Sequence, residues 1–356
     1  MIDFLVIGGG IAGLSAGARL SAHGKVTVLE AEEALGYHAS GRSAALFEAA
    51  YGKPAVVALN RASADYHHTA NGGYLTPRGL MLLGGSDQAE SFETDVADME
   101  MEPIPFETAR AMVPILNPET VAFTAHHAQA WDIDTDRLMQ DFARVIRANG
   151  GAVLTRQRVT RISRGAVWQV EAGEVFEARN IVNAAGAWAD QVAGMAGVAP
   201  IGLQPYRRSM ARIPAPGGHD LSGWPMLMGV GETWYAKPDA GKLIVSPADA
   251  DPVEPQDAWA DDMVLAEGLA RYQEMVTEEV TRMESNWAGL RSFAPDRVLV
   301  LGPDPDQRDF IWCAGQGGYG FQTSPAASQL LCDLVTGAAP EIEAGVVAQL
   351  RPERLR

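Results

Sequence analysis

An unbroken apolar run, Phe4-Leu5-Val6-Ile7, passes straight into glycines at the start of the chain. The pattern predicts a buried strand over 3–7, a glycine turn, a helix over 12–22 and a strand over 25–30. That is one βαβ unit. Apolar positions recur at helical spacing over 54–70, whereas YLTPRGLMLLGG (74–85) alternates around Pro77 and Gly79 and predicts a hairpin. The acidic stretch 86–102 predicts a solvated helix. Leu138, Phe142, Val145 and Ile146 then form a helical apolar stripe. Asp132, Asp134 and Asp136 precede it, near the positive end of the helix, and Gly150-Gly151 stop it.

Beyond residue 151 the period shortens. Several strand-like runs occupy 152–183 and end in RNIVNAAGAWA, a buried strand meeting a small-residue turn and a further helix. Segments 203–213, 224–237 and 241–246 read as strands rich in aromatic residues and Met, and 261–280 reads as a helix. The end repeats the opening theme, with strands at 297–301 and 309–313, the glycine turn GQGGYG, and a helix to about 336. Two glycine-turn units at opposite ends make the nucleotide domain discontinuous. The expected division gives 1–70, 134–198 and 285–356 to a Rossmann-like α/β domain, and 71–133 and 199–284 to an inserted α+β substrate domain.

Composition narrows the function. A chain of 356 residues suits two packed units, and a net charge of -17 argues against nucleic acid, which demands a basic face. No stretch approaches the roughly 18 apolar residues needed to span a bilayer, so no membrane-spanning segment is expected. The chain enters a strand too soon for a leader peptide, which makes the cytoplasm the expected location. Cys313 and Cys332 lack metal-ligand spacing and read as buried thiols. The pairs His67-His68 and His126-His127 have no Cys or carboxylate at metal-site spacing, so no metal is expected.

The most informative motif is Gly8-Gly9-Gly10-Ile11-Ala12-Gly13, with Gly17 further along the helix. The first glycine permits the tight turn, the second lets a pyrophosphate approach, and the third lets helix pack on strand. Free N–H groups at the helix start suit phosphate. Glu30 at the end of VTVLE is placed to accept from ribose hydroxyls.

GGGIAG with Glu30, GYHASGRSAAL (36–46), NAAGAWA (183–189), WAGLRSF (287–293) and QGGYGFQTS (316–324) occur in this order along nearly the whole chain. Together they resemble the FAD-dependent D-amino-acid oxidase superfamily, and within it the bacterial D-amino-acid dehydrogenases of the D-arginine dehydrogenase type. The resemblance implies non-covalent FAD. With Gly8, Gly10, Ile11 and Gly13 at the dinucleotide turn, it places Ala12, Glu30 and Ala31 at the adenosine half and Val159 at adenine. Ser40, Gly41, Arg42, Ser43, Ala44, Ala45 and Leu46 would run along the pyrophosphate and flavin. Gly317, Gly318, Tyr319, Gly320, Phe321 and Gln322 would sit over the flavin's pyrimidine edge. Ala185, Gly186 and Trp188 belong to the same region, Trp188 either lining the site or serving as a core aromatic; His38 reads as a hydrogen-bonding neighbour rather than a covalent link.

An enzyme of this kind must hold a carboxylate, and the planar fork of arginine suits it. Arg207 and Arg208 are neighbours on a strand and face opposite sides, so one is functional and the other solvated. The resemblance selects Arg208, with Arg291 as its partner, and matches Tyr51 and Tyr235 to substrate-facing tyrosines that otherwise read as core aromatics. Tyr319 and Gln322 could offer groups to the amine. Where the D-arginine type carries an acid for a guanidinium, this chain has Leu80, which weakens the case for a strongly basic substrate. Leu46, Phe47, Met226 and Met228 suggest an adaptable apolar pocket. Glu48 either meets a cationic side chain or is solvated. The implied reaction is FAD-dependent oxidation of neutral, mostly hydrophobic free D-amino acids to imino acids and then 2-oxo acids and ammonia. The alternatives are a glycine- or sarcosine-type secondary-amine oxidase of the same fold and a catalytically silent flavoprotein assembly factor. A nicotinamide enzyme is the weakest competitor. The implied partners are the amino acid and an electron acceptor, whether oxygen, a quinone or a protein, which no motif encodes.

Overall fold

A computed structural model describes all 356 residues. The opening apolar run forms the strand Ile2–Ile7, flanked in parallel by Val26–Leu29 and Glu174–Asn183. Phe310–Ala314 continues the parallel order beyond Glu174–Asn183. Both faces of this sheet are covered, which is why the run shows no polar alternation. Phe4 and Val6 enter a core with Leu14, Phe142 and Leu331 from the helices Ile11–Leu20, Thr135–Ala148 and Gly320–Thr336. Leu5 and Ile7 enter a second core with Trp168, Val192 and Trp312. Asp134 caps the helix Thr135–Ala148 by accepting from the Arg137 N–H at 3.1 Å, a contact of a kind worth about 0.5–2 kcal/mol.

A second sheet of eight strands runs in the order Ser285–Phe293, Gln204–Ile213, Lys242–Ser246, Tyr235–Asp239, Met226–Gly229, Leu80–Gly84, Phe123–His127 and Glu102–Pro103. Ser285–Phe293, grouped by sequence with the nucleotide unit, is thus an edge strand of the other sheet, paired along its whole length with Gln204–Ile213. A small third sheet of Leu46–Glu48, Ala130–Ile133 and Leu75–Pro77 joins the two. No helix is long and apolar enough to cross a membrane.

Several local expectations are corrected. Leu75–Pro77 and Leu80–Gly84 do not form a hairpin: the first pairs with Ala130–Ile133, the second with Met226–Gly229 and Phe123–His127. The chain crosses between sheets at Arg78 and Gly79, whose N–H groups both donate to the Ala130 carbonyl. All of Leu80–Gly84 is buried, which a two-stranded hairpin could not achieve. The 224–237 segment is two strands, because consecutive left-handed residues, Gly231 (φ +69°) and Glu232 (φ +52°), reverse the chain. The acidic helix spans only Ala89–Asp98, with Phe92 its one buried residue. The helix expected over 261–280 spans Asp262–Glu274 and stops before Val276 bridges to Leu116. The strand expected over 297–301 lies at Val300–Pro303, after the left-handed Arg297. Val145 points outward rather than into the stripe. Cys313 and Cys332 are buried free thiols, and burial pushes the Cys313 thiol up to about 12.

Candidate active site

A single cavity of about 490 Å³ runs from the first glycine turn to the arginine strand Gln204–Ile213. At the nucleotide end, Gly8 adopts φ +112° and a Cβ there would stand 2.3 Å from the Ala184 carbonyl oxygen. A Cβ on Gly13 would stand 2.0 Å from the oxygen of Gly8, so Gly13 supports the turn from beneath and does not line the cavity. The helix Ile11–Leu20 begins at Gly10 without a side-chain cap from that residue, and the Ile11 N–H donates to Ser40 Oγ at 3.1 Å. Glu30 is buried at the end of Val26–Leu29. Its Oε2 accepts from Gly9 N–H at 2.8 Å and its Oε1 from Glu32 N–H at 2.9 Å. The backbone therefore orients this carboxylate and leaves lone pairs for hydroxyl donors. Ala31 and Val159 line the same end.

The middle of the cavity is walled by Ser40, Arg42 to Leu46, Ala185, Gly186 and Trp188. Arg42 spends its guanidinium on protein: it donates to the carbonyls of Tyr37 at 3.2 Å, Ala258 at 2.9 Å and Ala288 at 3.0 Å, and pairs with Asp257 at 2.5 Å. It clamps the loop before the helix Asp262–Glu274 onto the cavity wall. Gly41 is held back from the cavity, its N–H donating to Gly36 at 2.6 Å. Ala45 holds a left-handed backbone (φ +42°), and buried Lys237 secures it by donating to the carbonyls of Ala44 and Ala45 while pairing with Asp132 at 2.9 Å. Trp188 lines the wall, its ring 4.6 Å from that of His38. On the opposite side, Gly317, Gly318, Gly320, Phe321 and Gln322 present the start of the helix Gly320–Thr336, which has no side-chain cap from Tyr319. Two helix starts of this kind, a glycine turn that a Cβ would block and an acid at the strand end fit a flavin dinucleotide.

At the far end stands the arginine pair. Tyr206 faces Arg291 across the adjacent strands and Arg208 faces Gly289, so Arg208 and Arg291 share one sheet face, two positions apart. Arg207 points away. It is mostly buried and paired with Asp251 at 2.6 Å and Asp249 at 3.4 Å, a structural ion pair rather than a solvated side chain. Between Arg208 and Arg291 lies a carboxylate that sequence patterning did not single out, that of Glu232. Its Oε1 stands 2.9 Å from Arg208 and 3.3 Å from Arg291, and its Oε2 accepts from Tyr51 Oη at 3.0 Å. Burial pushes this carboxyl up, but Arg291, Arg208 and the Tyr51 hydroxyl together hold it below the usual carboxylate range. Burial also keeps the Tyr51 phenol protonated, with Glu232 adding to the effect and the arginines opposing it. The end of the cavity is therefore a cradle for a carboxylate.

The residues 3–334 match the family model described as "DAO: FAD dependent oxidoreductase". The chain belongs to this family. The FAD-dependent oxidoreductase is 24% identical to the glycine oxidase of Pseudomonas putida (strain KT2440) over 95% of this chain and 96% of that protein. It is 24% identical to "FAD-dependent oxidoreductase domain-containing protein 1" of Bos taurus over 94% of this chain and 81% of that one. Among solved structures, L-proline dehydrogenase from P. horikoshii superposes with a TM-score of 0.84 at 20% identity, covering 99% of this chain and 97% of that one.

In this FAD-dependent oxidoreductase, Leu46, Leu80, Met226, Met228 and Tyr235 complete the walls beside the carboxylate cradle, and Met210 and Met99 join them without having been expected. The Tyr235 hydroxyl has only the Met210 sulfur, at 3.3 Å, as partner, a weak acceptor that leaves the hydroxyl free for a ligand. Phe47 faces the opposite way, into the core against His67, because it alternates with Leu46 along the strand. Tyr319 stands behind the wall, its ring 5.3 Å from that of Tyr51 and 6.3 Å from that of Phe293. The Gln322 side-chain oxygen accepts from Glu48 N–H at 3.1 Å, so that oxygen is already engaged. Glu48 is buried rather than solvated, lines the cavity, and lies 2.8 Å from His127 Nδ1. Glu232 eluded sequence patterning because an acid in a loop carries no periodic signal; only its place after Gly231, in a reversal between two apolar strands, set it apart.

Proposed function

We propose that this FAD-dependent oxidoreductase oxidises the Cα–N bond of a free D-amino acid with a neutral, mostly hydrophobic side chain. The product is an imino acid, which water converts to the 2-oxo acid and ammonia. The observation that carries this reading is the Glu232 carboxylate, held by Arg208, Arg291 and Tyr51 where a substrate carboxylate would bind. Two guanidinium groups and a phenol on rigid strands and a wall are a positioning device of the kind expected for a small carboxylate. Bound FAD supplies the hydride acceptor.

The chain's own residues fix geometry around that acceptor. Arg208 and Arg291 anchor the carboxylate, Tyr51 and Tyr235 direct it, and Leu46, Leu80, Met226 and Met228 receive an apolar side chain. The turn from Gly317 to Gln322 aims the positive end of a 17-residue helix at the cavity, favouring negative charge that develops there. Leu80 in place of an acid favours neutral over cationic side chains, and the D stereochemistry rests on the five motifs in order. Similarity to glycine oxidase and L-proline dehydrogenase favours, as the second reading, a secondary amine or glycine on the same cradle.

Anaerobic mixing with D- and L-amino acids, glycine, sarcosine and L-proline, following the flavin band, tests the reading. Bleaching by hydrophobic D-amino acids that is lost in Arg208→Met and Arg291→Met is expected. Bleaching by sarcosine or L-proline alone would move the enzyme to the second reading, and a yellow protein that no amine bleaches would sink both.

A further inference from the structure

Beside the start of the flavin-binding helix Gly320–Thr336 stands a second carboxylate that the positioning scheme leaves unused. Glu48 is 3% exposed, at the end of Leu46–Glu48, and lines the cavity beside Leu80. The Ala50 N–H donates to its Oε1 at 3.1 Å, and Oε2 meets His127 Nδ1 at 2.8 Å. His127 ends the strand Phe123–His127 directly opposite Leu80 in register, and its ring is about a fifth exposed. One residue therefore reaches the reaction space and its hydrogen-bonded neighbour reaches water. The pair is a two-residue connection from the cavity to solvent.

A free amino acid arrives at neutral pH as an ammonium, whose nitrogen has no lone pair to support removal of hydride from Cα. Resting on the amino-acid reading above, we propose that Glu48 accepts the ammonium proton of the substrate and that His127 passes it to solvent. The N–H bond breaks with its electron pair left on nitrogen, and the proton bonds to a Glu48 carboxylate oxygen. A proton then leaves through the His127 ring, which restores the Glu48 anion. No oxidant or reductant enters this step. Glu48 is the catalytic proton acceptor, and His127 is a positioning and relay residue.

The surroundings suit the task. Burial pushes the Glu48 carboxyl above its ordinary value, while the Ala50 N–H and His127 draw it down and Glu100 pushes it up. His127 and Glu100 are the titratable groups that bear on it, and Glu100 is itself paired with Arg61 at 2.7 Å. The two neighbouring helices offer it only the neutral side chains Gln322 and Asn60, both bonded to its backbone. A carboxyl whose proton affinity is raised above its ordinary value is a better acceptor for an ammonium proton, and the solvent-reaching ring at 2.8 Å gives that proton a way out.

The test uses the FAD-loaded protein, with Glu48→Gln in the cavity and His127→Asn on the solvent side, so that misfolding of one leaves the other. Flavin reduction is followed by anaerobic stopped flow from acid to alkaline pH. Affinities are measured for 2-methylalanine, which has an amine but no Cα hydrogen, and for isobutyrate, which has no amine. In Glu48→Gln, reduction at neutral pH falls by about 100-fold, within the range for a general base, and recovers as alkaline pH neutralises the free amine. The preference for 2-methylalanine over isobutyrate falls by about 10-fold or more, as expected on losing a charged hydrogen bond. His127→Asn shows a smaller loss of the same pH form. A loss equal at all pH values, no loss, or a loss confined to D-lysine and D-arginine would each overturn the proposal while leaving wild-type amine oxidation in place. Failure of the wild type to be reduced by any amine would instead overturn the amino-acid reading, and this proposal with it.

Discussion

Replacing Glu232 by Gln removes a negative charge from the arginine cradle without changing its shape. In the wild type, an incoming carboxylate must displace Glu232 from Arg208 at 2.9 Å, Arg291 at 3.3 Å and Tyr51 at 3.0 Å. A charged hydrogen bond contributes about 1.5–3 kcal/mol when buried. A third of the Glu232 side chain is exposed, so solvent reduces this, and the longer Arg291 contact counts for less. A net release of about 1–2 kcal/mol follows, and the affinity for a ligand carboxylate should rise by roughly 5- to 30-fold. The assay is titration of the FAD-loaded protein with benzoate or isobutyrate, read from the flavin spectrum. The sign follows from competition: Glu232 is held below the usual carboxylate range, so it stays anionic and in place through mildly acid pH. It releases the cradle only as pH falls through that depressed value, where wild-type and Glu232→Gln affinities converge. Unchanged or weakened carboxylate binding in Glu232→Gln would refute the reasoning, because Glu232 would then support the ligand rather than stand in its place.

Other outcomes follow from the same geometry. Arg208→Met and Arg291→Met should each lower kcat/KM by about 100-fold or more, the loss expected when one side of a desolvated ion pair is removed. Arg207→Met, on the opposite sheet face with Asp249 and Asp251, should lower kcat/KM far less than Arg208→Met, since it touches Arg208 only through Asp249, and should lower Tm by several degrees. Gly8→Ala places a Cβ 2.3 Å from the Ala184 carbonyl oxygen at φ +112°, so the purified protein should lose its flavin absorbance while keeping its far-ultraviolet circular dichroism. Lys237→Met removes the ammonium that holds the Ala44 and Ala45 carbonyls and leaves Asp132 with only Arg78, at 2.6 Å. It should weaken FAD retention on dilution and lower Tm by several degrees, since truncating a buried pair costs about 3–5 kcal/mol; unchanged flavin retention would show that Ala45 keeps its left-handed backbone without the clamp.

The nucleotide half of the cavity was legible because its signals are local. Phe4 to Ile7 make a buried strand from their own composition, and Gly8, Gly10 and Gly13 are spaced by the dimensions of one turn and one helix start. Strand alternation alone separates Arg207 from Arg208, whatever the rest of the chain does. Short-range pattern ended there. Leu75–Pro77 and Leu80–Gly84 look like a hairpin because their spacing is right, yet each finds a better partner far away in sequence. Glu232, in a loop between strands, acquires a role only when the pairing of Gln204–Ile213 with Ser285–Phe293 brings Arg208 and Arg291 to one face, and when Tyr51 is carried there by the third sheet. Glu48 and His127 are 79 residues apart and neither follows a periodic rule, so only the packed chain brings the carboxylate and imidazole within 2.8 Å. Backbone turns and strand faces are set by sterics between near neighbours, which a sequence carries with it. Charge pairs are set by which surfaces are buried against each other, and that is decided by the tertiary structure.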